Sequence, residues 1–233
     1  MKPLWHRGEI GDILYSWFML HCGAKVADFT IQRHSLHGTF DQYEALRGLA
    51  ALQPYLRNFE HGHNWQHFQD DLRPWIDGLA PCPSQNIIRP YFTGHAVEWT
   101  GYRPWLVGVA RRQLNHAYTV FNVTGRYRDA NFKWGTVMPA GIMYFIGLPA
   151  EYEAFVEHLR STGYASAADR LSYYPTADFL SAAELIAGAD AFFGNASACL
   201  ALAQGLGHPR IYVEATDLTR TTCLFGHEKV LNV

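Results

Sequence analysis

A carboxylate follows a glycine-containing turn near the start of the chain. Gly8-Glu9-Ile10-Gly11-Asp12 comes after a short apolar run and before an amphipathic helical pattern. Glycines permit a tight strand-to-helix turn at the carboxyl edge of a sheet, where α/β proteins bind their ligands. Asp12 could take a proton from an attacking hydroxyl, or it could only cap the helix. The spacing is not Gly-x-Gly-x-x-Gly, so it does not predict ordinary dinucleotide binding.

A second turn of small residues, Gly194-Asn195-Ala196-Ser197, opens a helical pattern from Ala198 to Leu206. A helix N-terminus has free N–H donors and the positive end of the helix dipole, and both suit a phosphate. Small residues let a diphosphate approach the backbone. The alternative is an ordinary helix start that Asn195 or Ser197 caps.

Cations follow the predicted strand Ala117–Val123. Arg126, Arg128 and Lys133 fall within eight positions, and Thr124 opens the loop that carries them. Such cations at the carboxyl end of a strand could neutralise a diphosphate leaving group. A solvated basic loop is the competing interpretation.

Two acidic residues also follow predicted strands. Glu151 comes after the strand Gly141–Ile146, and Glu214 comes after the strand Arg210–Val213. Either carboxylate could accept hydrogen bonds from ribose hydroxyls or from a base. For Glu151 the alternative is an acid in the first turn of a helix that begins at Pro149.

A histidine-rich stretch, with His61, His63 and His67 around Trp65, could ligate zinc, but no cysteine or carboxylate completes an evident site. We therefore expect no bound metal, and a polar loop that helps to contact an acceptor is the favoured interpretation.

Short apolar strands alternate with helical patterns, which predicts an α/β fold with parallel β-α-β layers. Both halves repeat strand, glycine turn and helix. We predict two small Rossmann-like domains, residues 1–115 and 116–233, that face each other across a cleft.

Finer expectations concern the middle and the end of the chain. Residues 60–90 are expected to be irregular with a short helix near 70–76, and residues 91–112 to be partly helical. Thr176 is expected to cap the next-to-last helix, and Arg210–Val213 to be the last clear strand.

The composition limits the function classes. The 233 residues are 48% hydrophobic with a net charge of −2, so disorder is not expected and the overall charge gives no nucleic-acid signal. No apolar run reaches the ~18 residues that span a bilayer, and no signal-peptide pattern is evident. The four cysteines stand singly. A cytoplasmic protein with reduced thiols is expected.

Together these motifs resemble the GT-B glycosyltransferases, and more narrowly the heptosyltransferase-like group, glycosyltransferase family 9 and its short phage-type relatives. In that group a Gly-Asp turn precedes the first helix, as Gly11-Asp12 does here. A glycine with small polar residues opens a later helix that ends shortly before a proline, as from Gly194 to Pro209. The segments RYR…KW (126–134) and FIGLPAEYEAF (145–155) also look like this group. Residues 55–115 match weakly.

The resemblance implies metal-independent transfer of a sugar from a nucleotide-sugar donor to an acceptor hydroxyl, with inversion at the anomeric carbon and no further cofactor. Asp12 matches the group's general base, with Gly8, Glu9 and Gly11 beside it on the acceptor side. The donor-side contacts of the group fall on Arg126, Arg128, Lys133 and Gly194–Ser197. The group's Asp-Ser/Thr-Gly followed by His is Asn195-Ala196-Ser197 without a histidine here, which argues against ADP-heptose as the donor.

The acceptor stays open between a glycan and a hydroxymethylated base in phage-type DNA. For DNA, arginines are interleaved with aromatic residues that could stack on an extruded base. These residues are Arg89, Tyr91, Trp99, Tyr102, Arg103, Trp105, Arg111 and Arg112. Core aromatics with scattered surface charges are the alternative. Two other functions also stay open: a non-catalytic nucleotide-sugar-binding module and a nucleotide-sugar epimerase.

Overall fold

The first half of the chain forms a small parallel sheet. The computed structural model describes residues 4–6, 9–23, 27–32, 40–62, 97–216 and 223–231. The first elements are β1 (Leu4–His6), α1 (Ile10–Cys22), β2 (Ala27–Gln32), α2 (Phe40–Ala50) and β3 (Leu56–Gly62). The described strands pair in parallel in the order β1-β2-β3. A helix therefore connects each pair of neighbouring strands, as predicted.

The second half forms a larger parallel sheet. Its strands are β4 (Tyr118–Asn122), β5 (Ile142–Phe145), β6 (Leu171–Tyr173), β7 (Ala191–Gly194), β8 (Ile211–Glu214) and β9 (Lys229–Leu231). Its helices are α3 (Pro149–Ser161), α4 (Ala165–Arg170), α5 (Phe179–Gly188) and α6 (Ala198–Gly205). All five residues of β4 are buried, as expected for a central strand between two covered faces. The predicted α/β class with parallel sheets is confirmed.

The strand order of this sheet creates a crevice at one edge. The described strands lie in the order β6-β5-β4-β7-β8-β9. The chain therefore runs outward from β4 to β6, returns to β7 on the other side of β4, and continues outward to β9. Loops that leave the carboxyl ends of β4 and β7 diverge, and α/β sheets bind ligands at such a point.

One apolar core joins helices from both halves. The residues of α1 from Ile13 to Leu20 are all buried, and α1 packs on α6 while α2 packs on α5. Trp105 stacks on Phe18 at a ring-centroid distance of 4.8 Å, and its indole N–H donates to the Leu14 carbonyl at 3.0 Å. Because α1 is enclosed on all sides, its buried stretch is mostly apolar, and the one serine in it, Ser16, donates to the Ile13 carbonyl at 2.7 Å. The expected division between residues 115 and 116 falls between the two sheets and stays a prediction.

The segment 97–116 contains neither helix nor strand, so the partial helicity predicted for residues 91–112 is wrong for the described residues 97–112, and residues 91–96 lie outside the description. Its backbone donors bond to the ends of other helices. Trp105 N and Leu106 N both donate to the Gly205 carbonyl at 2.8 Å, and Arg112 N donates to the Glu184 carbonyl at 2.9 Å. Its aromatic side chains pack into the shared core and so do not lie along one helical face.

The same packing takes up the aromatic residues in the described part of the Arg–aromatic pattern that was considered for DNA. Trp105 is buried, and Trp99 and Tyr102 pack against the core. Arg103 donates to the Cys22 carbonyl at 3.0 Å, and Arg112 pairs with Glu184 at 3.6 Å. Arg111 is exposed, whereas Arg89 and Tyr91 lie outside the described residues.

Several elements differ from the expectation. Strand β3 begins before the stretch expected to be irregular, and with most of its side chains at least partly exposed it lacks a clear alternating pattern. Asp178, not Thr176, is the N-cap of α5, because its carboxylate accepts from Ser181 N at 2.7 Å. Helix α4 and strand β9 were not predicted, and the short helix expected near residues 70–76 lies outside the described residues.

Within the part that the structure describes, no helix has both the length and the apolar character that crossing a bilayer requires.

Gly188 allows the segment 97–116 to lie on the end of α5. A Cβ at this position would stand 2.0 Å from the Arg112 carbonyl oxygen, which is backbone and cannot turn aside. We predict that Gly188→Ala lowers the free energy of unfolding by about 2 kcal/mol, the usual cost of overpacking. Urea denaturation measures this. Gly125→Ala is the control, because nothing lies within 4 Å of its added Cβ. Equal stability of the two variants would contradict the packing described here.

Candidate functional site

A cavity of about 740 Å³ lies between the start of α1 and the carboxyl ends of the strands in the larger sheet. It brings together candidate residues that are far apart in the chain. Those that line it are Glu9, Gly11, Asp12, Thr124, Arg126, Glu151 and Ser197. Candidates from both halves of the chain therefore line one cavity, although not every candidate belongs to it.

Helix starts surround this cavity. The first residues or N-caps of α1, α3, α5 and α6 are all among its lining residues. Each helix N-terminus carries roughly half a positive charge and unsatisfied N–H groups. The cavity is therefore suited to an anion, independently of its charged side chains.

Asp12 lies in the first turn of α1, where it is not the cap. The N-cap is Glu9, whose side chain makes no capping hydrogen bond. The start of α1 lies against the start of α6, since a Cβ at Gly11 would be only 3.8 Å from Ala198 Cα. The carboxylate of Asp12 and the first turn of α6 consequently line the same space.

Ser197 caps α6 as its side-chain oxygen accepts from Leu200 N at 3.1 Å. Ala196, Ser197 and Ala198 all line the cavity and have small side chains. The first-turn amides of this helix have no acceptor within the helix. A negatively charged group can thus approach the backbone closely here.

Asn195 and Gly194 have structural roles and do not line the cavity, contrary to their predicted donor contacts. Asn195 is fully buried. Its Oδ1 accepts from Thr124 N at 3.0 Å, and its Nδ2 donates to the Thr124 carbonyl at 2.8 Å. Asn195 therefore ties the loop after β7 to the loop after β4. Gly194 lies within β7, where a Cβ would come within 2.6 Å of the Asn122 carbonyl.

Arg126 lines the cavity, whereas Arg128 and Lys133 do not, so the expected cluster of three cations is not formed there. A 3₁₀ turn over Gly125–Tyr127 presents Arg126 alone to the cavity, and Lys133 instead precedes a second such turn. Arg126 is 65% exposed, and its Nη1 lies 3.4 Å from Glu9 Oε1 on the opposite wall.

Glu151 is both an acid in the first turn of a helix and a residue of the cavity wall. It lies in the first turn of α3, and its Oε2 accepts from Leu148 N at 3.1 Å. It also lines the cavity. One carboxylate oxygen thus supports the helix start, and the side chain remains at the surface of the site.

Glu214 holds a loop and does not line the cavity, so its nucleotide contact stays a prediction that the cavity does not support. Its side chain is buried, and Oε1 accepts from Asp129 N. Burial raises the pKa of Glu214 to about 7, and the Asp129 N–H, the nearby Trp134 indole and Arg128 oppose that rise. Neither Glu214 Oε2 nor Trp134 Nε1 meets hydrogen-bond geometry with a described partner.

The remaining candidates lie away from the cavity or outside the description. Gly8, His63 and His67 are outside the described residues. His61 is in β3, with its ring 6.1 Å from that of Tyr43. Among the described residues, no group of three His, Cys, Asp or Glu side chains could hold a metal ion.

Tyr15 is a cavity residue that the sequence did not reveal. It lies one turn after Asp12, and its hydroxyl donates to Gln204 Oε1 at 2.8 Å. The Gln204 amide donates in turn to Glu228 Oε1 at 2.6 Å and to the Cys223 carbonyl at 2.8 Å. Burial raises the pKa of Tyr15 well above its usual value, so the phenol stays protonated. This chain connects α1, α6 and the C-terminal segment.

Residues from the loop after β6 also reach the cavity without having been predicted. They are Thr176, Ala177, Asp178 and Phe179. Asp178 follows the same pattern as the other turns, because it is a polar residue that lies after a strand and before a helix. Assigning the helix cap to Thr176 obscured it.

The fold resembles that of a known enzyme. The structure of the E. coli heptosyltransferase WaaC with ADP-2-deoxy-2-fluoro heptose superposes with a TM-score of 0.55 at 12% sequence identity, over 100% of this chain and 93% of that one. No protein-family model matches the sequence, and no curated protein matches it. The GT-B-like architecture predicted from the motifs is therefore confirmed at the level of the fold.

The raised pKa of Glu214 predicts a pH-dependent stability. The fold favours the neutral carboxyl, so this contribution is complete below the unfolded pKa near 4.5 and is lost as the pH rises through about 7. Glu214→Gln stays neutral and keeps an acceptor for Asp129 N. We expect the variant to be more stable than wild type by about 1–3 kcal/mol at pH 8.5, with the difference shrinking toward pH 5. Urea unfolding at both pH values measures it, and a pH-independent difference would argue against a buried ionising group.

Proposed function

We propose that the protein is a glycosyltransferase that moves a sugar from a nucleotide-sugar donor to an acceptor hydroxyl. The observation that carries this proposal is that Asp12 and the first turn of α6 line the same cavity from opposite halves of the chain. One wall offers a base and the other an anion site. The fold likeness to a heptosyltransferase solved with a nucleotide-sugar analogue supports the same assignment.

The diphosphate of the donor is proposed to lie on the first turn of α6, beside Arg126. A diphosphate carries about two negative charges and Arg126 neutralises one, so the helix starts must supply much of the remainder, at roughly half a charge each. The donor also competes with Glu9 for Arg126. Glu151 is placed to accept hydrogen bonds from ribose hydroxyls. No metal ion or other cofactor enters this proposal.

Transfer then follows from the placement of Asp12. The acceptor oxygen attacks the anomeric carbon, its proton passes to the Asp12 carboxylate, and the bond from that carbon to the diphosphate oxygen breaks. Charge that develops on the leaving nucleotide is stabilised by Arg126 and the helix starts. Attack on the face opposite the leaving group inverts the anomeric configuration. Asp12 is assigned as the general base because its carboxylate lines the cavity together with the first turn of α6.

The acceptor is proposed to be a saccharide hydroxyl. The alternative, a hydroxymethylated base in DNA, rested on arginines and aromatic side chains between residues 89 and 112. In the described part of that segment the aromatic rings pack into the core and two of the three arginines bond to other protein groups. They therefore do not form a stacking surface for an extruded base.

We predict that Asp12→Asn lowers the transfer rate by about 100-fold or more, the usual contribution of a general base, while donor affinity changes little. A thermal-shift screen of UDP-, GDP-, ADP-, CMP- and dTDP-sugars identifies the donor, and release of the nucleoside diphosphate in the presence of acceptor measures transfer. Asp41→Asn is the matched control, an acid in the first turn of α2 that does not line the cavity. Full activity of Asp12→Asn would refute the assigned base.

The same assay separates the other two functions. Donor binding without transfer in wild type and variant alike would identify a binding module. Conversion of the nucleotide sugar with no second substrate would identify an epimerase.

The arginines allow a second comparison. We predict that Arg126→Ala raises the dissociation constant for the donor about 10-fold, because a charge-assisted contact to phosphate is lost. Arg128→Ala should leave it within about 2-fold, since Arg128 lies outside the cavity. Isothermal titration calorimetry measures both. Equal losses would mean that the two arginines share the diphosphate after all.

A further inference from the structure

The strand order of the larger sheet sets the order in which the diphosphate, the ribose and the base of the donor lie across the cavity. This inference rests on the proposed function. Neighbouring strands lie about 4.8 Å apart, so β7 and β6, three positions apart in β6-β5-β4-β7, are separated by roughly 14 Å. That distance is comparable to the length of an extended nucleoside diphosphate. With the diphosphate after β7, the ribose falls near the loop after β5 and the base near the loop after β6.

The cavity lining is mostly apolar near the loop after β6. After β6 the lining consists of Thr176, Ala177 and Phe179, with Ala45 from α2, and Leu148 follows the neighbouring strand β5. Leu148 is 65% exposed although its side chain is apolar. Small-molecule sites combine such apolar walls with a few placed polar groups, and a flat base would cover Leu148.

Asp178 supplies a charged group at this end. Its Oδ1 caps α5 by accepting from Ser181 N at 2.7 Å. Within the described residues, its Oδ2 has no hydrogen bond, and it lies 3.5 Å from where a Cβ would stand on Gly48 of α2, one turn after Ala45. Arg126, at the loop after β4, is the one basic side chain among the described lining residues. Asp178 lines the cavity, and none of the lining residues described in its loop or in α2 carries a positive charge.

An ionised carboxylate only accepts hydrogen bonds. Adenine, guanine and cytosine each carry an exocyclic amino group, although at different ring positions, and this group donates hydrogen bonds. Uracil and thymine carry none, and their one ring N–H on the pairing edge lies between two carbonyl oxygens. A carbonyl oxygen beside Asp178 would be repelled and would lose its water without compensation. We propose that Asp178 is a specificity-determining residue that selects donors with an amino-bearing nucleobase over uridine and thymidine donors.

The experiment compares ADP, GDP, CDP, UDP and dTDP by isothermal titration calorimetry on wild type and Asp178→Asn. Asparagine is an equally good N-cap, so α5 should form and the melting temperature should stay close to that of wild type. We expect the tightest amino-bearing nucleotide to bind wild type about 10-fold more tightly than UDP, the size of one hydrogen bond to a charged group. In Asp178→Asn, whose amide can donate to a carbonyl oxygen, that preference should fall to about 2-fold or reverse.

Glu184→Gln is the matched control, an acid on α5 that pairs with Arg112 outside the cavity, and it should keep the wild-type preference. Tightest binding of UDP or dTDP to wild type would overturn the inference. So would an unchanged preference in Asp178→Asn, and both results leave the proposed glycosyl transfer intact. Failure of all five nucleotides to bind wild type would instead overturn the proposed function together with the inference.

Discussion

The site depends on the close packing of α1 against α6, which makes both helices start at one cavity. The two helix starts lie close together, since a methyl group on Gly11 would be in ordinary van der Waals contact with Ala198 Cα at 3.8 Å. The buried stretch of α1 is mostly apolar, and the Trp105 indole donates to its Leu14 carbonyl, so the helix cannot slide without breaking the shared core. An acid in the first turn of one helix and the free amides of the other are thus held in the same space.

Buried polar residues outside the cavity wall, together with Tyr15, hold the segments that form the cavity in place. Asn195 joins the loops after β4 and β7, Glu214 holds the loop that follows Arg126, and Gln204 links Tyr15 to the C-terminal segment. Each is a plausible ligand contact by residue type and position. Their burial shows a different role, because a buried polar group must be satisfied inside the protein and so fixes whatever segments it bonds. The exposed walls of the cavity are left to Asp12, Arg126 and Glu151.

The sequence predicts the strand-helix alternation and both walls of the cavity, because glycine turns after apolar strands carry a local signal. It does not separate Arg126 from Arg128, since a three-residue 3₁₀ turn decides which of them faces the cavity. It also fails for residues 97–116, whose backbone donors bond to Gly205 and Glu184 far along the chain. Asp178 was missed because a neighbouring threonine offered an equally good cap signal. The failure over residues 97–116 concerns contacts between distant segments, which no local pattern encodes, whereas the other two concern side chains two residues apart that carry similar local signals.

The most direct test is a crystal structure with the nucleoside diphosphate that binds most tightly. The account predicts its terminal phosphate within hydrogen-bond distance of the first-turn amides of α6, and the Asp12 carboxylate facing that phosphate across an acceptor-sized gap. A nucleotide bound elsewhere on the molecule, or one whose phosphates lie on Arg128 and Lys133 outside the cavity, would contradict it.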